Sequence, residues 1–292
     1  MHPAPSVIIF TVLSGLGFGF LAMLGAGVIA PAGMAALVAW GTGYGLAVSG
    51  LLASTFHLGN PQRALLAFTQ WRSSWLSREG IASVAALTVL APVALAAIGG
   101  GGLRILGLAG AALCLLTILT TAMIYAQLRT VPRWNHWATP ALFFAFALAG
   151  GATLTGRAAL AVPLLLALSA LLAWNFRDGD RRFGRAGHTM ATATGLGGSG
   201  TVRAFAPPHT GPNYLTREMI HVVGRRHAAR LRVIAVLCAG LIPAAVLLIL
   251  PGVAAAILAA LVHLTGAFAA RWLFFAEAEH VVGLYYGARQ VA

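Results

Sequence analysis

The stretch VIAVLCAGLIPAAVLLILPGVAAAILAALVHLTGAFAARWLFF (Val233–Phe275) decides the fold. From Val233 to Ala270 it carries no charged residue, and the breaker pair Pro251-Gly252 divides it. Each half approaches the roughly 20 apolar residues that a helix needs to cross a bilayer. A strand reading needs period-two alternation, which is absent. The stretch therefore reads as two membrane helices, about 231–250 and 253–275, in a tight hairpin.

Working outward, apolar runs predict six further helices at about 6–27, 34–56, 78–98, 103–126, 138–155 and 158–176. The 292-residue chain is 59% hydrophobic and 9% charged, where soluble domains carry about 25% charged residues. The expectation is an all-α polytopic membrane protein: one integral domain, 1–292, with eight transmembrane helices. The N-terminal run MHPAPSVIIF lacks a basic n-region and reads as the first span rather than a cleaved signal. The last helix is expected to continue into EAEHVVGLYYG. Gly41 and Gly45, in GxxxG spacing, read as close packing within the bundle rather than as a dimer face.

Every one of the 19 basic residues is arginine, and the formal net charge is +13. With eight spans, 17 of the 19 arginines fall on the side of the termini and the 2–3, 4–5 and 6–7 loops; Arg104 and Arg157 lie opposite. The positive-inside rule places that side, with both termini, in the cytoplasm of a bacterial inner membrane. So basic a chain raises the possibility of nucleic acid, but arginines confined to loops and helix ends fit topology and docking instead. The long loop at about 177–229 starts with NFRDGDRRFGR and reads as helical again from Tyr214, after an Asn213 cap. Met219, Ile220, Val222 and Val223 would rest that helix on lipid.

Three motifs are set aside. Gly195, Gly197 and Gly200 spell GxGxxG, but no strand precedes them, and the motif's phosphate-binding meaning needs a βαβ unit. They read as a turn. Of the histidines, His263 is deep in a span, and one buried imidazole cannot supply both axial ligands of a b-type haem. It reads as a packing or hydrogen-bonding residue. Cys114 and Cys238 are far apart with no CxxC spacing, so no metal or cluster site is expected in this chain.

A different constellation survives. His57 in TFHLGNPQRA ends helix two, Glu79 starts helix three, Tyr125 closes helix four, and Arg271 sits near the inner end of helix eight. Topology brings all four to the arginine-rich face, and ionisable groups at membrane depth are functional candidates by default. Each also has a plain structural reading: an interfacial histidine, a glutamate at a helix start behind a Ser77 cap, a belt tyrosine, a snorkelling arginine. Together they supply a titratable donor, a carboxylate relay, a phenol and a fixed positive charge. Quinone chemistry needs such a set, because two electrons arrive with two protons. A transporter is the remote alternative; no internal repeat is visible, and the polar groups gather at one face rather than at the midplane.

FHLGNPQRA followed by SWLSRE resembles the signature of the dimethyl sulfoxide reductase membrane-anchor family. The likeness extends to YAQLRTVPRWNHWATP and AARWLFF. TATGLG, PHTGPNYLTREM and VGRRHAARLR are most similar to the branch that contains the anchor of the cytoplasmic sulfite dehydrogenase. The resemblance implies a haem-free, eight-helix anchor that holds a molybdopterin catalytic subunit and a four-cluster iron–sulfur subunit. It also implies electron exchange with ubiquinone or menaquinone. The family's quinone-site histidine and glutamate fall on His57 and Glu79, and the site is extended here to Arg63, Tyr125 and Arg271. Docking of the iron–sulfur subunit is expected on Arg72, Arg78, Arg129, Arg133, Arg181, Arg182, Arg225 and Arg226. The arginine bias departs from a periplasmic reductase and favours sulfite oxidation in the cytoplasm. A menaquinol-oxidising S- or N-oxide reductase anchor is the alternative.

Overall fold

The computed structural model describes residues 3–56, 60–198, 200–203, 205–206, 210–211, 213–215 and 227–286. His57, Arg225 and Arg226 lie outside the described residues, as do the side chain of Arg63 and most of the helix expected from Tyr214. Long helices form where the apolar runs predict them: α1 Pro5–Gly25, α2 Gly33–Thr55, α3 Trp75–Ile98, α4 Arg104–Ala126, α5 Ala138–Leu154 and α6 Ala158–Arg185. A single turn, α7 Met190–Thr194, follows, then α8 Ala228–Val236, α9 Ile242–Ile249 and α10 Val253–Ala276. A π-turn, Leu237–Leu241, joins α8 to α9 in one rod. Among the described residues seven helices are long and apolar enough to cross a membrane, and α5, with 17 residues, is a shorter apolar one. At 1.5 Å per residue it rises about 26 Å, just under the hydrocarbon thickness.

Two boundaries differ from expectation. α6 runs on to Arg185, so NFRDGDRRFGR is helix rather than loop. Asp178 and Arg182 pair across one turn at 2.7 Å and support that extension. α10 stops at Ala276, and a 3-10 segment, Val281–Tyr286, carries the chain back over the bundle end. Its Val281 N–H donates to Thr130 O at 2.9 Å, and Tyr285 Oη donates to Ala193 O. The GxGxxG stretch is a turn at its start: Gly195, at φ 73°, caps α7, whose other end is a Thr189–Thr192 capping box.

α1 is the axial helix, packed by α2, α4 and α5. Apolar residues alone give no drive for helix association in lipid, so backbones must come close. Glycines permit this. A Cβ on Gly19 would stand 1.9 Å from Ala147 O of α5, and one on Gly17 would stand 2.3 Å from Ala47 N of α2. Gly41 and Gly45 do the opposite of what the sequence reading expected. They face outward, where an added Cβ would meet no other part of the protein within 4 Å, because Gly43, Ala47 and Gly50 make the α1 contact.

The π-turn in the rod α8–α9 has a traceable cause. Pro243 has no N–H to give to the carbonyl four residues back, Ala239 O. His263 Nδ1 takes that carbonyl at 2.6 Å, and Ser169 Oγ donates to Val236 O at 3.1 Å. Since a carbonyl only accepts, Nδ1 carries the proton. His263 is thus the hydrogen-bonding residue expected, and it ties α10 to the π-turn.

Gly19→Ala should destabilise the protein by about 1–3 kcal/mol, the usual overpacking penalty, because only backbone can yield. Gly41→Ala should leave the melting temperature of the detergent-purified protein unchanged. Equal melting temperatures for the two variants would refute this packing.

Candidate functional site

The arginine-rich end of the bundle is built from the α4–α5 turn, the α3 start, and the ends of α6, α8 and α10. The α4–α5 turn, RTVPRWNHW, folds inward. Val131 and Trp134 are buried, Trp134 Nε1 donates to Phe274 O at 2.8 Å, and Thr139 Oγ1 donates to Trp134 O at 2.7 Å. His136 is held below the usual histidine range by burial and then by the neighbouring Arg182. Its neutral Nδ1 is therefore free to accept from Ala138 N–H, at 3.2 Å, where α5 begins.

Trp134 opens an aromatic cluster around Tyr125. The phenol ring meets Trp134, Phe274 and Phe275 edge-on at 5.4, 5.3 and 5.6 Å, and Phe143 at 5.8 Å. Aromatic quadrupoles favour these arrangements and hold the ring in one orientation. Arg271, from α10, lays its Cζ over Phe143 at 3.8 Å and near Phe274 at 5.2 Å. It is 7% exposed. Among the described residues neither its guanidinium nor the Tyr125 hydroxyl has a hydrogen-bond partner.

Glu79 completes the group. It is 5% exposed, and one long hydrogen bond, 3.4 Å from Thr121 Oγ1 of α4, reaches its carboxylate. Tyr125 stands within electrostatic reach of both Glu79 and Arg271. The cap of α3 is Ser74, which accepts from Ser77 N–H at 3.4 Å; Ser77 is not the cap. Ser77 Oγ is instead buried with no partner among the described residues. The 3-10 segment Pro61–Gln70 leans on this end of α3, with Phe68 near Gly80. So three of the five expected site residues come together, from helices whose candidates lie 46 to 192 positions apart in the chain.

The arginines expected to dock a partner divide into two sets. Arg72, Arg129 and Arg181 are exposed, and Arg78 holds the α2–α3 linker by donating to Trp71 O and Arg72 O. Arg133 and Arg182 are taken up inside the chain. Arg133 pairs with Glu277 at 2.5 Å and Asp180 at 3.0 Å, and Arg232 pairs with the same two carboxylates at 2.6 Å each. Arg182 donates to Asp178, Asn175 and Arg133 O. This ion cluster had one sequence signal. All six acidic residues of the chain fall on the arginine-rich side, too few to be incidental beside 19 arginines.

Between α1, α4, α5 and α10 lies a cavity of about 20 Å³, lined by Thr11, Ser14, Thr121, His263 and Arg271 among others. It has room for a water-sized group but not for an aromatic ring. Among the described residues hydrogen-bonding capacity is left over on the Glu79 carboxylate, the Ser77 hydroxyl, the Tyr125 phenol and the Arg271 guanidinium, and of these Arg271 lines the cavity.

An unpaired charge is costly to bury, and replacing buried ions by apolar residues of similar size often stabilises by about 1–4 kcal/mol. Arg271→Met should accordingly raise the melting temperature of the purified protein. A lower melting temperature would mean that the guanidinium serves packing.

The model of the DMSO reductase anchor subunit (DmsC) family matches residues 1–172. A sulfite dehydrogenase subunit from Allochromatium vinosum is 34% identical over 342 aligned residues, covering 98% of this chain and 99% of that one. No solved structure matches.

Proposed function

Because the chain belongs to the DMSO reductase anchor subunit family, we propose that it is the quinone-binding membrane anchor of an oxidoreductase complex. In this reading it acts as one unit of eight spans, α5 included, with both termini in the cytoplasm of a bacterial inner membrane. It carries electrons between a four-cluster iron–sulfur subunit and membrane quinone, and a molybdopterin subunit oxidises sulfite. The name of its Allochromatium vinosum relative and the arginine bias support sulfite and the cytoplasmic side. The single observation that carries the quinone reading is the convergence of Glu79, Tyr125 and Arg271 with bonding capacity unspent.

The residues fit a quinone's two carbonyl oxygens. The ring would sit at the mouth of α3, since the inner cavity admits only water. His57, in the stretch between Thr55 and Pro61 that connects α2 to the 3-10 segment, would hydrogen-bond one oxygen and pass it a proton. Glu79 would resupply that proton, with Ser77 Oγ holding the relay in line. Arg271, with Arg63, would favour the reduced, negatively charged form through a fixed charge in a weakly screening site. Tyr125 would orient the oxygen against the guanidinium. Exposed Arg72, Arg129 and Arg181, with Arg225 and Arg226, would meet the iron–sulfur subunit.

His57→Ala should abolish quinone-linked turnover of the purified complex and leave dye-linked turnover of the soluble partners intact. Retained quinone turnover would sink the proposal. The reverse reading, a menaquinol-oxidising reductase anchor, puts the arginine-rich end in the periplasm. Impermeant thiol labelling of Arg185→Cys, in a variant lacking Cys114 and Cys238, decides between them. Protection in intact cells is expected, and labelling would reverse the orientation.

A further inference from the structure

Three cavities share walls from the arginine-rich surface inward. An outer cleft of about 220 Å³ is lined by Asp180, Glu279, Arg133 and Glu277. A middle cavity of about 30 Å³ shares Arg133 and Glu277 with that cleft and adds Thr139, Asn175 and Arg271. The inner cavity, about 20 Å³, shares Phe146 and Arg271 with the middle one and reaches Thr121, the residue that donates to Glu79. Each of the two small cavities exceeds the space of one water and offers several polar partners, the conditions under which a buried cavity is wet. Dryness would leave the Arg271 guanidinium, 7% exposed and without a partner among the described residues, with neither bond nor solvation.

We propose that these cavities form an internal water passage that brings protons from the arginine-rich surface to the second carbonyl oxygen of the quinone, with Arg271 as its electrostatic gate. The proposal rests on the quinone reading above and deepens it. The two oxygens of a para-quinone lie on opposite sides of the ring, so one donor at His57 and Glu79 cannot serve both. The passage supplies a route that arrives from the α10 side. At its outer end Arg133 is held by Asp180 and Glu277, whereas Arg271, deeper in, has no carboxylate partner among the described residues. At rest its charge repels an incoming proton, as fixed arginines do in water-selective pores. Negative charge delivered through the iron–sulfur subunit would offset the guanidinium, and the passage would then admit one proton beside the one that His57 and Glu79 supply. Proton uptake is thereby tied to electron arrival, and Arg271 keeps its own proton throughout as a positioning residue.

The test uses the intact complex purified from membranes. Ala270 is a small residue in the wall of the middle cavity, and Ala270→Val should displace its water. Quinone-linked turnover should fall roughly a hundredfold, the lower end of the scale of a lost proton-transfer contribution, with a larger solvent deuterium isotope effect and an unchanged KM for decylubiquinone. Dye-linked turnover should stay unchanged. Should Ala270→Val fail to assemble, Ala267→Val in the inner cavity takes its place. Ala260→Val, a buried alanine outside all three linings, is the control. A density map that resolves ordered water should show it in both small cavities within hydrogen-bond distance of Arg271. Dry cavities, or wild-type quinone turnover in the plugged variant, would overturn the passage. Lack of quinone-linked turnover in the unaltered complex would instead sink the quinone reading, and the water map then judges the passage alone.

Discussion

Four charges tie the arginine-rich end together: Arg133 and Arg232 each hold both Asp180 and Glu277. Glu277 is 6% exposed, so this is not a surface decoration. Breaking such a buried pair by removing one partner costs several kcal/mol, while its net benefit over an apolar cluster is small. What the cluster contributes is geometry. It joins the α4–α5 turn to the ends of α6, α8 and α10, and everything nearby takes its place from that junction. Arg182 then docks on Arg133 O, Trp134 turns inward onto Phe274, and Tyr125 is clamped between aromatic rings.

Within the apolar layer the governing constraint is different. Backbone groups must bond within their own helix, so spanning elements are helical, and helices associate by close contact of small residues. α1 is packed on three sides through Gly17, Gly19 and Gly25, while α2 shows lipid the face that carries Gly41 and Gly45. One departure is the π-turn, where Pro243 frees a carbonyl that His263 claims. A proline that would weaken a lone helix becomes a point of attachment between two.

The candidate site combines these two regimes. Glu79 and Arg271 are buried near the end of the bundle, one sparsely bonded and one unbonded among the described residues. Ser77 adds a buried hydroxyl with no partner among the described residues, and under the quinone proposal this unspent capacity would receive the polar groups of the ring.

Much was legible beforehand. Hydropathy located all eight apolar helices to within a few residues except at the end of α6, and it placed Glu79, Tyr125 and Arg271 at one end, because charge exclusion from lipid acts on each segment independently. The extension of α6 and the inward fold of RTVPRWNHW were hidden, since polar composition looks the same in an exposed loop and in a helix end that pairs its charges. The outward turn of Gly41 and Gly45 was hidden as well, because the pattern alone does not say which small-residue face meets a neighbour. The ion cluster joins residues 45 to 144 positions apart, and Trp134 and Phe274 are aromatics in a chain full of apolar side chains. Sequence by itself determined helices, ends and the segregation of charge, which follow from local solvation. Tertiary structure alone decided which charges cancel and which buried ones, Glu79 and Arg271, stay without an ion-pair partner among the described residues, because pairing depends on distances that only packing sets.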